Sequence, residues 1–100
     1  MDQNEVINIV RKYSETLSQS LLFDAVYLFG SYARGNPRTH SDIDVAIMIN
    51  KFEGEYMDIV LHLWKVSSKV DVRIEPVLIL PNEDPSGFSK EIIRSGIRIN

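Results

Sequence analysis

Cysteine is absent from the chain, which excludes disulfides and every metal site built on thiolates. Histidine occurs twice, at His40 and His62, without the close pairing that a zinc site needs. Positive charge is the minority sign: 11 Lys and Arg stand against 14 Asp and Glu, for a net charge of −3. A broad electrostatic grip on nucleic acid is therefore not expected. No apolar run approaches the ~20 residues that span a bilayer. Met1-Asp2-Gln3-Asn4-Glu5 has neither the basic start nor the apolar stretch of a secretory signal, so the expectation is a cytoplasmic protein without a membrane segment. What remains is an ordinary globular composition, 44% hydrophobic and 25% charged. It suits a single domain over residues 1–100 with a modest core, and repeats and low-complexity segments are missing too.

Helical periodicity opens the chain. Asp2-x-x-Glu5 has the spacing of a capping box, and Val6, Val10, Tyr13, Leu17 and Leu21 share one side of a helix running to about Ser20. Ile9 and Leu22 are expected to widen that stripe. Residues 25–29 read as a short strand stopped by Gly30, residues 35–41 as a loop, and residues 43–49 as a strand apolar on both faces and therefore central. Residues 55–68 predict a second helix whose core stripe is Tyr56, Ile59, Val60, Leu63 and Val66. Met57, Leu61 and Trp64 exceed what one sheet-covering helix needs, so they are expected to meet a partner chain or to lie under another helix of this one. Residues 70–80 alternate apolar side chains with Asp71, Arg73 and Glu75, the pattern of a strand, and Pro76 marks it as an edge or an irregularity. Residues 81–85 read as a loop, and 86–95 as a short helix with Phe88, Ile92 and Ile93 on its core side. Gly96 then ends that helix, and residues 97–99 predict a last strand.

The chemistry sits between the first two strands. In a strand, Asp42 and Asp44 fall on one face with Cα atoms about 6.6 Å apart. Two carboxylates so placed converge on shared divalent cations, and hard oxygen donors suit Mg²⁺ carrying a nucleotide. Gly30 lets backbone approach a ligand closely, and Ser31 adds a hydroxyl. If Tyr32-Ala33-Arg34 opens a helical turn, its first N–H groups face an anion, with the Arg34 charge beside them. Arg38 and His40 lie in the adjoining loop, within reach of a substrate there, whereas His62 receives no catalytic role. Neither the Walker pattern nor the Gly-x-Gly-x-x-Gly dinucleotide fingerprint is present.

Gly30-Ser31-Tyr32-Ala33-Arg34-Gly35, followed after a spacer by Ser41-Asp42-Ile43-Asp44-Val45, resembles the signature of the polymerase-β-like nucleotidyltransferases, and most of all the minimal nucleotidyltransferases of prokaryotes. The resemblance implies an α/β (α+β) fold, a small mixed β-sheet with helices mainly on one face and the Asp-x-Asp strand central. It implies Mg²⁺ as two ions on Asp42 and Asp44, with ATP as the nucleotide and its triphosphate seated by Gly30, Ser31 and Arg34. A third catalytic and metal-binding carboxylate is implied on the neighbouring strand; Glu75 and Asp71 are the candidates, and Glu75 is favoured because Ile74-Glu75-Pro76 looks like the corresponding segment of some minimal members. The implied reaction is transfer of AMP to a hydroxyl. By analogy with antitoxins of this type, that hydroxyl is a tyrosine on a helical HEPN-type toxin partner. The alternative is a catalytically weak or inactive antitoxin subunit that only binds its partner, and homo-oligomers are compatible with either reading.

Overall fold

The computed structural model describes residues 1–37 and 41–100. Its first helix, α1 (Gln3–Ser18), is capped by Asp2, whose Oδ1 accepts the Glu5 N–H at 2.8 Å, and it buries Val6, Val10, Tyr13 and Leu17 completely. Leu22 is 91% exposed, contrary to the expected stripe, because the helix stops before it and the chain turns away. Strand β1 (Ala25–Phe29) leads through Gly30 into a single helical turn, α2 (Ser31–Arg34), and β2 (Ile43–Met48) follows. The chain continues through α3 (Tyr56–Val70), β3 (Ile74–Ile79), a 3₁₀ turn at Pro81–Glu83 in place of the expected loop, α4 (Phe88–Ser95) and β4 (Ile97–Arg98).

Among the described residues the strands form one mixed sheet in the order β3-β2-β1-β4. β1 runs antiparallel to β2 and to β4, whereas β2 and β3 are parallel, joined by α3 as crossover. The Asp-x-Asp strand is thus interior, and β3 is an edge, where Pro76 forfeits no ladder partner on its open side. Val26, Leu28, Val45, Ile47, Ile74 and Leu78 face the main core with α1 and α3. Ala25, Tyr27, Ala46, Met48 and Ile79 face the other way, where Ile92 of α4 covers them. Both faces of β2 are therefore dry except near its start, and that is where Asp44 sits.

Two elements depart from the sequence pattern. The expected strand over 70–80 begins only at Ile74, because α3 runs on to Val70 and residues 72–73 form a turn, leaving Val72 82% exposed. Asp71 accepts from the backbone N–H of Arg73 and from its guanidinium, at 2.9 and 2.6 Å, which ties the turn locally. In α4 the core side chains are Ile92 and Ser89; Phe88 and Ile93 are exposed, since a helix lying over one edge of a small sheet buries a narrower stripe than the sequence suggested. Met57, Leu61 and Trp64 are also exposed on α3, so among the described residues no helix covers them.

α1 and α3 are joined by more than apolar contact. Tyr13 is buried, its hydroxyl donates to the Leu63 carbonyl at 3.0 Å, and burial pushes its pKa far up, so the donor is always protonated. Leu63 itself is fully buried between the two helices and the sheet. Leu63→Ala should cost about 2–5 kcal/mol. In a domain of this size that lowers the melting temperature by roughly 10–30 °C. Calorimetry checks it, and a fall of only a degree or two would mean that the site collapses without a cavity.

Candidate active site

Strand register assembles the polar end of the sheet. Phe29 is paired with Asp44 across β1 and β2, and Asp44 is paired with Glu75 across β2 and β3. Paired residues project to the same face of strands about 4.8 Å apart, so the Asp44 and Glu75 carboxylates stand side by side. Asp42, two residues upstream of Asp44, is exposed at the mouth of the same face. Asp71, the competing candidate, stays in the turn with Arg73 and does not join this row.

The turn after β1 lies directly against these acids. Gly30 has φ +76° and ψ −153°, and a Cβ built there would overlap Asp44 Oδ2, so only glycine lets backbone pass so close. α2 is held from below by Tyr32, buried in the main core. It is held from the side by Gln3, whose Nε2 donates to the Tyr32 carbonyl at 2.9 Å. Arg34 is exposed on the last turn position, near enough to Asp44 to pull its pKa down.

Against that pull, burial and then the charge of Asp42 push the Asp44 carboxyl above its ordinary value. Glu75 is likewise raised, by partial desolvation first and then by the charges of Asp42 and Asp44. Each acid thus bears on the titration of another, which places the three in one electrostatic unit. Carboxylates with raised pKa oppose folding once ionised: the stability is present at low pH and diminishes as pH climbs through the carboxylate range. Such a cluster is suited to a cation rather than to stability. Among the described residues, no group of three or more Asp, Glu or His side chains is placed to hold a metal ion as it stands. The donors are all carboxylate oxygens with excess negative charge, a set that fits Mg²⁺ completed by water and phosphate.

A cleft of about 420 Å³ opens beside Asp44. It is lined by Phe29 of β1, by Gly30, Ser31 and Arg34 of the turn and α2, by Asp44 of β2, and by Phe88, Glu91, Ile92 and Ser95 of α4. The structure therefore brings Gly30, Ser31, Arg34, Asp44, Asp42 and Glu75 together at one end of the sheet. Arg38 and His40 lie outside the described residues. His62 is on α3, with Nε2 2.7 Å from Ser20 Oγ, and takes no part. The α4 wall and Gln3 escaped the sequence reading. A phenylalanine opening a helix gives no sign that it borders a cleft, and a polar side chain in a first helical turn reads as solvated.

Residues 4–100 match the family described as Polymerase beta, Nucleotidyltransferase. Two curated proteins of Methanocaldococcus jannaschii, each named "Putative protein adenylyltransferase", are similar to the chain. One is 31% identical over 99 residues, covering 95% of this chain and 99% of the relative, and the other is 32% identical over 74 residues, covering 69% and 74%. The fold is similar to that of a crystal structure described as a "putative nucleotidyltransferase" from Sulfolobus solfataricus, with a TM-score of 0.68 at 20% identity, covering 96% of this chain and 80% of that one.

Proposed function

The chain belongs to the polymerase-beta nucleotidyltransferase family, and on that premise we propose that it transfers AMP from ATP to a hydroxyl on another protein. The observation that carries the reading is the row Asp42, Asp44 and Glu75 set against the Gly30–Ser31 backbone, a group of carboxylates beside a glycine turn.

In this reading the first amides of α2, which have no acceptor inside the helix, and the Ser31 hydroxyl bind the triphosphate, with Arg34 balancing its charge. Asp42, Asp44 and Glu75 would hold two Mg²⁺ ions, which supply charge neutralisation on the phosphates when bound. The acceptor oxygen forms a bond to the α-phosphorus, the bond from that phosphorus to the bridging oxygen breaks, and pyrophosphate leaves. The hydroxyl proton passes to a carboxylate, for which Glu75, exposed at the edge strand, is the accessible choice.

A protein acceptor is favoured by the name that the relatives carry. It is favoured too by the exposed Met57, Leu61 and Trp64, a composition suited to protein contact. The resemblance to antitoxins makes a tyrosine on a helical HEPN-type partner the first acceptor to try. No helix among the described residues is long and apolar enough to cross a membrane, and we place the reaction in the cytoplasm, where ATP and Mg²⁺ are plentiful. Incubation with α-labelled ATP, MgCl₂ and such a partner should label the partner and release pyrophosphate. Failure to bind ATP in a Mg²⁺-dependent way would overturn the assignment. Glu75→Gln should slow transfer about 100-fold or more while ATP binding changes little. Full activity in that variant, with loss in Asp71→Asn, would move the role to Asp71.

A further inference from the structure

The cleft has two chemically different sides, and the reading above uses one of them. Gly30, Ser31, Arg34 and Asp44 suit phosphate and cation. The α4 residues that line the cleft, Phe88, Glu91, Ile92 and Ser95, bring an aromatic ring and a carboxylate. Phe88 stands at the first position of α4 and meets Phe29 edge to face, with ring centroids 5.7 Å apart and planes at 82°. That contact holds one edge of the ring, and 40% of Phe88 remains exposed. An aromatic ring held by one neighbour and open on the other side is a stacking platform. Glu91, one turn along the helix, lines the same cleft. Its exposed carboxylate pairs with Arg94, with Nη2 2.6 Å from Oε1 and Nε 3.1 Å from Oε2, which lowers its pKa and keeps it ionised. An ionised carboxylate accepts hydrogen bonds and offers none. The volume of about 420 Å³ is within the range of small-molecule sites and exceeds what a triphosphate alone would fill.

We propose that Phe88 and Glu91 form the nucleobase subsite, in which the base stacks on Phe88 and its exocyclic amino group donates to Glu91. This deepens the nucleotidyltransferase reading and rests on it. It makes the α4 wall the source of nucleotide preference: adenine carries an amino group where hypoxanthine carries a carbonyl oxygen, and an ionised carboxylate attracts the first and repels the second.

The test measures Mg²⁺-dependent binding of three ligands, ATP, ITP and tripolyphosphate, by calorimetry. The wild type should bind ATP at least several-fold more tightly than ITP, and tripolyphosphate less tightly than ATP. Phe88→Leu, which keeps apolar bulk and removes the stacking face, should weaken ATP about tenfold or more and leave tripolyphosphate unchanged. Phe88→Tyr should retain ATP affinity, which separates stacking from any loss of fold. Glu91→Gln should erase the discrimination between ATP and ITP, because an amide can donate as well as accept. Equal affinity of the wild type for ATP and tripolyphosphate would overturn the subsite while leaving phosphate binding intact. So would Phe88→Leu that binds ATP normally but loses transfer, which would assign the wall to the acceptor. Absence of Mg²⁺-dependent binding of all three ligands to the wild type would instead overturn the nucleotidyltransferase reading, and the subsite with it.

Discussion

Asp44→Asn should reduce AMP transfer on the order of 10³-fold, since the charge a carboxylate contributes to a cation site is worth several kcal/mol in the transition state. The same substitution should leave the fold intact or raise its melting temperature slightly. Asp44 lies half-buried between Asp42 and Glu75, and its pKa is raised by burial and by the Asp42 charge. A carboxylate that is harder to ionise in the folded state than in the unfolded one destabilises the fold at neutral pH, and an isosteric amide removes that cost. Activity and stability thus move in opposite directions, a signature that a merely structural aspartate would not give. Transfer from labelled ATP and a thermal melt above pH 7 measure both. A variant with activity within tenfold of the wild type would remove Asp44 from the reaction.

How much of this was legible in the sequence depends on what each signal encodes. Short-range patterns transferred well. The Asp2–Glu5 cap, the α1 stripe, the β1 run ending at Gly30 and the edge position marked by Pro76 all depend on local geometry that residue type imposes. Asp42, Asp44, Gly30, Ser31 and Arg34 were visible because they sit within one short stretch whose spacing is itself the signal. Glu75 was harder, since period-two alternation over 70–80 presented Asp71 and Glu75 as equals. The likeness of Ile74-Glu75-Pro76 to minimal members favoured Glu75, and α3, which runs to Val70, keeps Asp71 out of the strand, a tertiary outcome that alternation alone does not encode. The α4 wall was illegible for a related reason. Whether Phe88 is core or cleft lining depends on where an eight-residue helix lies across the sheet, and that is fixed by the β1–β4 pairing at the end of the chain. The surplus stripe of α3 could be seen to need a cover, but periodicity carries no information about whether the cover is in this chain.

Gly30→Ala should have the largest effect of any substitution outside the carboxylates, and it acts twice. With φ +76° and ψ −153°, Gly30 occupies a region essentially open to glycine alone, so a side chain there costs about 1–3 kcal/mol whatever the space around it. The new Cβ would also overlap Asp44 Oδ2, so either the turn or the carboxylate must move. The turn is anchored by buried Tyr32 and by the Gln3 bond to its carbonyl, and the backbone of Asp44 is fixed by pairing on both sides of β2, which leaves its carboxylate to turn aside. Whichever yields, the distance between the phosphate-facing backbone and the acids changes by a substantial fraction of an ångström. Displacements of that order cost about 100-fold in rate. The strain alone should lower the melting temperature by roughly 5–20 °C. Gly35→Ala supplies the control. Its φ of +79° carries strain too, but a Cβ there meets nothing within 4 Å, so it should lose some stability and keep most of its transfer activity. If the two variants lose activity equally, the contact between Gly30 and Asp44 is not what sets the site, and backbone strain alone accounts for the loss.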